Sequence, residues 1–125
     1  MQAFRIVVIG AGQTGAPLLR QLLSASFVDL AGVADLDLNM PGIALAREHG
    51  VAVSTDFMEL LAGNTPVDVV IDVTGQPAVR DALRKHMVDS GNTHTVIMHE
   101  RIALLMLSLS AGTLVTGKHG DLTYA

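Results

Sequence analysis

Arg5-Ile-Val-Val-Ile-Gly10-Ala-Gly12-Gln13-Thr14-Gly15-Ala-Pro-Leu-Leu-Arg20 is the stretch on which the fold turns. Residues 5–9 form a β-branched run stopped by glycine, the pattern of a fully buried first strand. Behind the glycines, residues 16–26 set Leu18, Leu19, Leu22 and Leu23 at helical spacing, with Pro17 tolerated in the first turn. A strand, a tight turn and an amphipathic helix therefore follow one another directly. Within the turn each glycine of the G-x-G-x-x-G spacing has its own task. Gly10 allows the tight reversal, Gly12 lets a pyrophosphate approach the backbone, and Gly15 lets the helix pack closely on the sheet. A diphosphate placed there meets the unpaired N–H groups and positive dipole end of the helix. Gly10, Gly12, Gln13, Thr14 and Gly15 are accordingly candidate cofactor-binding residues.

An acid follows at the right distance. Residues 28–34 read as a second strand, and Asp35 stands at its end, 20 residues after Gly15. There a carboxylate accepts hydrogen bonds from the adenosine ribose hydroxyls of a dinucleotide. Asp37 lies two residues on and no arginine is adjacent, so a ribose 2′-phosphate would be repelled. The expected cofactor is NAD, with NADP disfavoured. Other nucleotide motifs do not fit, because a P-loop needs Gly-Lys-Ser/Thr where this chain continues Ala16-Pro17, and no G-x-S-x-G elbow occurs.

The alternation continues along the chain. A loop from Asp35 leads to a short helix over residues 43–49 closed by Gly50, then a third strand over 51–54. Asp56 with Glu59 three residues on resembles a capping box opening a helix to Leu61. Residues 67–73 are the most strand-like run and stop at Thr74-Gly75, which border the switch point where a cofactor's ribose or nicotinamide lies. Thr74 and Gly75 join the candidate cofactor-binding residues. A helix over 77–89 ending before Gly91, a fifth strand over 93–98 and a last helix over 101–110 complete the pattern. Five strand–helix alternations with short connections predict an α/β fold, a doubly wound parallel sheet of the Rossmann type in a single domain. Residues 1–112 form that dinucleotide-binding domain, and 113–125 are a tail to which the pattern assigns no element.

Composition narrows the function classes. With 125 residues the chain holds one domain of ordinary size, and half of it is hydrophobic with only 3% aromatics, as buried parallel strands under helices require. A net charge of −4 with scattered basic residues leaves no footprint for nucleic acid. There is no cysteine, hence neither disulfide nor thiolate metal site. The start lacks a signal-peptide pattern, and the apolar run 102–109 is far shorter than the roughly 20 residues of a membrane span. A cytoplasmic location without membrane contact is expected.

Taken together, these segments resemble the N-terminal domain of the Gfo/Idh/MocA oxidoreductases, over roughly residues 4–105. The similarity extends beyond the glycines to Phe27-Val-Asp-Leu-Ala-Gly-Val-Ala-Asp35, Ala44-Leu-Ala-Arg-Glu-His-Gly-Val51, Ser54-Thr-Asp-Phe-Met-Glu-Leu-Leu61 and Val67-Asp-Val-Val-Ile-Asp-Val-Thr-Gly75. Dihydrodipicolinate reductases and acylating acetaldehyde dehydrogenases share parts of this pattern. The resemblance implies an NAD-binding cofactor domain of an oxidoreductase. It also implies a Glu-Lys-Pro motif after strand five whose lysine helps catalysis, yet this chain reads His99-Glu100-Arg101-Ile102. An arginine keeps its charge and handles protons poorly, and no substrate domain is expected within these 125 residues, so no catalytic residue is assigned. Rossmann modules of this kind also stand beside bacterial sensor and regulator domains. A nucleotide-sensing or regulatory module without chemistry of its own is therefore the alternative.

Further residues carry two readings each. His94 and His99 on one strand point to opposite faces and do not converge on a metal, so no metal site is expected. His99 either meets a nicotinamide or substrate or is an ordinary loop histidine. Asp72 inside an apolar strand needs partners, a raised pKa or a helix terminus. Leu104, Leu105, Met106, Leu107 and Leu109 exceed what one helix face buries, which points either to a homo-oligomer or partner-domain interface or to a core helix.

Overall fold

A computed structural model describes residues 2–116. Strands and helices alternate as β1 (Phe4–Ile9), α1 (Gly15–Ser24), β2 (Val28–Ala34), α2 (Pro41–Glu48), β3 (Val53–Ser54), α3 (Phe57–Leu61), β4 (Val69–Asp72), α4 (Pro77–Ser90), β5 (Val96–His99) and α5 (Glu100–Ala111). The strands form one sheet in the order β3-β2-β1-β4-β5, every neighbouring pair parallel. The chain is thus an α/β domain of the doubly wound, Rossmann type.

Alternation along β1 decides which helix meets which face. Ile6 and Val8 pack with Leu18, Leu19 and Leu22 of α1, Ile43 and Ala46 of α2, and Ala103 and Leu107 of α5. Val7 and Ile9 turn the other way, onto Leu83 and Met87 of α4 and Phe57, Leu60 and Leu61 of α3. Both faces are covered, which is why β1 needs apolar side chains at consecutive positions.

Several element boundaries differ from the sequence reading, each for a local reason. Helix α2 starts at Pro41 rather than residue 43, since proline at a first helical position has its φ preset and loses no helix hydrogen bond. Strand β3 keeps only two of the four residues expected, and β4 is shorter than 67–73 at both ends. The fifth strand begins at Val96 rather than residue 93 because Asn92 claims the preceding backbone. Its Oδ1 accepts from the amides of His94 and Thr95 at 2.9 and 3.0 Å, making a side-chain-closed turn. Helix α5 begins one residue early, at Glu100. The pairing of Asp56 with Glu59 is not reciprocal: Asp56 Oδ1 accepts from Met58 N, while Glu59 accepts from Ser54 Oγ. Of the expected tail, residues 117–125 lie outside the described residues.

Asp68 ties three strands at the amino end of the sheet. Its Oδ2 accepts from Arg5 N at 2.9 Å, its Oδ1 lies 2.8 Å from His94 Nε2, and its carbonyl accepts from Val96 N. The Arg5 amide first, then the His94 side chain, hold this carboxyl below its ordinary value. A depressed folded pKa contributes stability that is present above the unfolded value, near 4, and is lost as pH falls through the folded one. Asp68→Asn should therefore flatten the acid limb of a stability–pH curve below about pH 4. An unchanged acid limb, measured by urea unfolding at stepped pH, would remove this carboxylate from the account.

Candidate functional site

Gly10 ends β1 with φ +105°, a conformation that side chains rarely adopt, and its N–H donates to Ala34 O of β2 at 2.8 Å. The chain can then double back into α1 within five residues. At Gly15 the constraint is contact rather than φ, since an added Cβ would stand 2.1 Å from Gly10 O. Helix α1 thus begins pressed against the turn that precedes it. No side chain caps α1 and its first turn holds no acid, so no side chain compensates the positive end of the helix, though Ala16 N already donates to Gly12 O at 2.9 Å.

That end opens on a cavity of about 500 Å³, within the range of roughly 300–1,000 Å³ typical of ligand clefts. Gly10, Gly12, Gln13, Thr14 and Gly15 line one part of it, and Asp35 and Thr74 line others. Gly75, with φ +65°, turns the chain after β4 but is not on the cavity wall. The far wall comes from segments that carried no site signal: Leu36 and Met40 ahead of α2, Thr55 to Phe57 at the start of α3, and Val79 of α4.

Asp35 has an attachment that spacing does not reveal. Its Oδ2 accepts from Ala11 N at 2.9 Å and its Oδ1 from Asp37 N at 2.9 Å, so the acid after β2 holds the glycine turn itself. Ala11 is fixed from the other side too, its carbonyl accepting from Gly42 N at 2.7 Å. A Cβ at Gly42 would lie 2.7 Å from that oxygen. Gly42 is therefore a fourth glycine of the turn, contributed by α2. On its own, Pro41-Gly42 signals only a loop.

Asp72 lies 3% exposed at the carboxyl end of β4, in register with Ile9 and His99. Partners meet its need: Oδ1 accepts from Thr74 N at 3.0 Å and Thr74 Oγ1 at 2.7 Å, and Oδ2 lies 3.1 Å from His99 Nδ1. Thr74, on the cavity wall, is in this way joined through a buried carboxylate to His99 at the end of β5. Glu100 is wholly buried in the first turn of α5. His94 sits in the Asn92 turn on Asp68, so the two histidines serve different carboxylates. Among the described residues no group of three or more His, Cys, Asp or Glu could hold a metal ion, and no helix is long and apolar enough to cross a membrane.

No family model matches the chain. Acetaldehyde dehydrogenase of Chloroflexus aurantiacus is 34% identical over 86 residues, 66% of this chain and 28% of that enzyme. The acetaldehyde dehydrogenase of Carboxydothermus hydrogenoformans is 30% identical over 74 residues, 59% of this chain and 25% of that enzyme. The chain spans less than a third of these relatives' length. Among solved structures, GenD2 from gentamicin A biosynthesis in complex with NAD superposes with a TM-score of 0.57 at 23% identity, over 79% of this chain and 34% of GenD2. A myo-inositol dehydrogenase of Corynebacterium glutamicum gives 0.56 at 18% identity, over 76% of this chain and 27% of that one. At such identities the likeness is one of fold, and the fold is that of a Rossmann domain.

Proposed function

We propose that this chain binds a dinucleotide, NAD(H) in preference to NADP(H), as the cofactor domain of an oxidoreductase of the Gfo/Idh/MocA kind. One observation carries the reading: the uncapped start of α1 and the carboxylate of Asp35 face one cavity of ligand size. The N–H groups around Gly12, Gln13 and Thr14 receive the pyrophosphate, Gly10 and Gly15 shape the turn, and Asp35 accepts from the adenosine ribose. Thr74 and Gly75 border the nicotinamide half. The NAD held by GenD2, on the same fold, agrees with this choice of cofactor.

Residues 1–112 are the dinucleotide-binding unit in this reading, which acts in the cytoplasm. The unit does not turn over a substrate by itself. Hydride transfer needs a substrate held against the nicotinamide and a positioned proton donor. Where the resembling oxidoreductases carry a lysine this chain has Arg101, and the neighbouring Glu100 is wholly buried. A partner domain or a second subunit covers the outer side of α5, where Leu105, Met106 and Leu109 are exposed.

Calorimetric titration with NAD, NADH and NADP tests the cofactor. NAD should bind more tightly than NADP, and tighter NADP binding would overturn the choice. Asp35→Ala should weaken NAD by one or two charge-assisted hydrogen bonds, about 1.5–3 kcal/mol each, and narrow the gap to NADP.

A further inference from the structure

Strand β4 ends on a carboxylate that decides how the cavity wall beyond it meets a ligand. Asp72 is buried, and both of its oxygens are engaged. Oδ1 accepts from Thr74 N and Thr74 Oγ1, and Oδ2 lies 3.1 Å from His99 Nδ1. Of these three residues Thr74 alone lines the cavity, while Asp72 and His99 stand behind its wall. A hydroxyl has one hydrogen to donate and two lone pairs with which to accept. The Thr74 hydrogen is committed to Asp72 at 2.7 Å, and one lone pair takes the N–H of Gln76 at 3.2 Å. What remains for an occupant of the cavity is a single acceptor. Turning the hydrogen toward the cavity instead would strip a charge-assisted bond from a carboxylate shut off from water.

His99 enters because it sets which way the carboxylate faces. Strands β4 and β5 pair Asp72 with His99 in register, so the imidazole engages Oδ2 and leaves Oδ1 to Thr74. We propose that Thr74 is an acceptor-only contact selecting a hydrogen-bond donor on the ligand, and that His99 is the positioning residue that keeps it so through Asp72. A contact on the cavity wall is thus held in its orientation by a side chain outside the cavity, as a supporting layer behind a binding site does. The inference rests on the dinucleotide reading for the identity of the donor. In NAD that donor is either the carboxamide N–H of the nicotinamide or a hydroxyl of the ribose beside it.

Two measurements test this. In the protein without ligand, NMR should show a Thr74 hydroxyl proton whose exchange with water is slowed by its bond to Asp72. His99→Ala should speed that exchange, and His99→Asn, whose amide nitrogen takes about the place of Nδ1, should slow it again. A fast-exchanging Thr74 hydroxyl in the parent would overturn the proposal whatever the cavity binds. The second measurement is calorimetric titration with NAD of the parent, Thr74→Val, which keeps the shape without the hydroxyl, and Thr74→Ser, which keeps the hydroxyl. Valine should lose about tenfold in affinity and serine little. Against 3-acetylpyridine adenine dinucleotide, with a methyl ketone in place of the carboxamide, valine should lose nothing if the amide is the donor and the same factor if the ribose is. His99→Ala should weaken NAD binding alone and add no loss in the Thr74→Val background, as groups acting through one contact do. Equal losses in both backgrounds, or a Thr74→Val protein that binds NAD as the parent does, would overturn the proposal and leave the cofactor reading standing. A parent that binds no dinucleotide would overturn that reading and this proposal with it.

Discussion

Gly15→Ala should lower the thermal midpoint by roughly 10 °C or prevent folding, the largest stability loss expected of a single methyl group in this chain. An alanine Cβ would stand 2.1 Å from Gly10 O and 2.8 Å from Gly10 C, and both obstacles are backbone. No rotamer change relieves such a collision, so either α1 lifts from the turn or the turn opens. Overpacking of this severity costs about 3 kcal/mol or more, and the better helix propensity of alanine returns only about 1 kcal/mol. Moving the turn also disturbs the Ala34–Gly10 hydrogen bond and the Asp35 clasp on Ala11, which are part of how β2 is held to β1. Gly63→Ala is the control: among the described residues, chain neighbours aside, nothing lies within 4 Å of its added Cβ, and the effect should stay within about 0.5 kcal/mol. Differential scanning calorimetry of the two variants beside the parent measures both. A Gly15→Ala protein as stable as its parent would mean that α1 does not rest on the glycine turn.

This contrast marks what the sequence alone could disclose. Gly10 and Gly15 were legible because their constraint is local: both lie between a strand and a helix that contiguous residues specify. The five strands and five helices were legible for the same reason, since period 2 and period 3.6 patterns are written in adjacent side chains. What stayed hidden was assembled across the chain. Gly42 belongs to the turn only because α2 packs there, and nothing in Pro41-Gly42 says so. Asp35 was found by its spacing from Gly15, yet its hydrogen bond to Ala11 N spans 24 residues and has no local signature. The start of β5 was misplaced because Asn92 and Thr95 tie the preceding turn, and Thr95 Oγ1 reaches Val67 O across to the neighbouring strand. Hydrophobic pattern cannot report such side-chain bonds, which compete with the strand for the same backbone groups.

The link from Thr74 through Asp72 to His99 belongs to the same hidden class. Asp72 is an anomaly in sequence, a carboxylate in an apolar strand, and its partners come from the loop after β4 and from the last residue of β5. Thr74 lies 2 positions away and was always in reach, but His99 is 27 positions distant and meets it only because β4 and β5 are neighbours in register. A buried carboxylate held on one side by a cavity-wall hydroxyl and on the other by a histidine ties the loop after β4 to the end of β5. Both lie at the carboxyl edge of the sheet, where ligands of open α/β sheets bind.

Gly12→Val should leave the protein folded and reduce NAD affinity by about 100-fold or more, on the order of 3 kcal/mol. The two halves of this expectation have separate physical grounds. Gly12 is not held at positive φ, and among the described residues, chain neighbours aside, the only atom within 4 Å of an added Cβ is Met40 Sδ at 3.6 Å, an ordinary contact with a flexible side chain. The empty protein therefore has room, and stability should change by about 0.5 kcal/mol or less. Both Gly12 and Met40 line the cavity, so the room in question is the cavity itself. A branched side chain there would stand between the ligand and the start of α1, whose positive end acts on an anion only if the anion can reach the backbone. Gly12→Ala should fall between parent and valine, because one methyl leaves part of the approach open. Circular dichroism establishes the fold of each variant, and calorimetric titration with NAD reads the affinity. If a folded Gly12→Val protein bound NAD as the parent does, the pyrophosphate could not lie on this turn, and the cofactor assignment would fall with it.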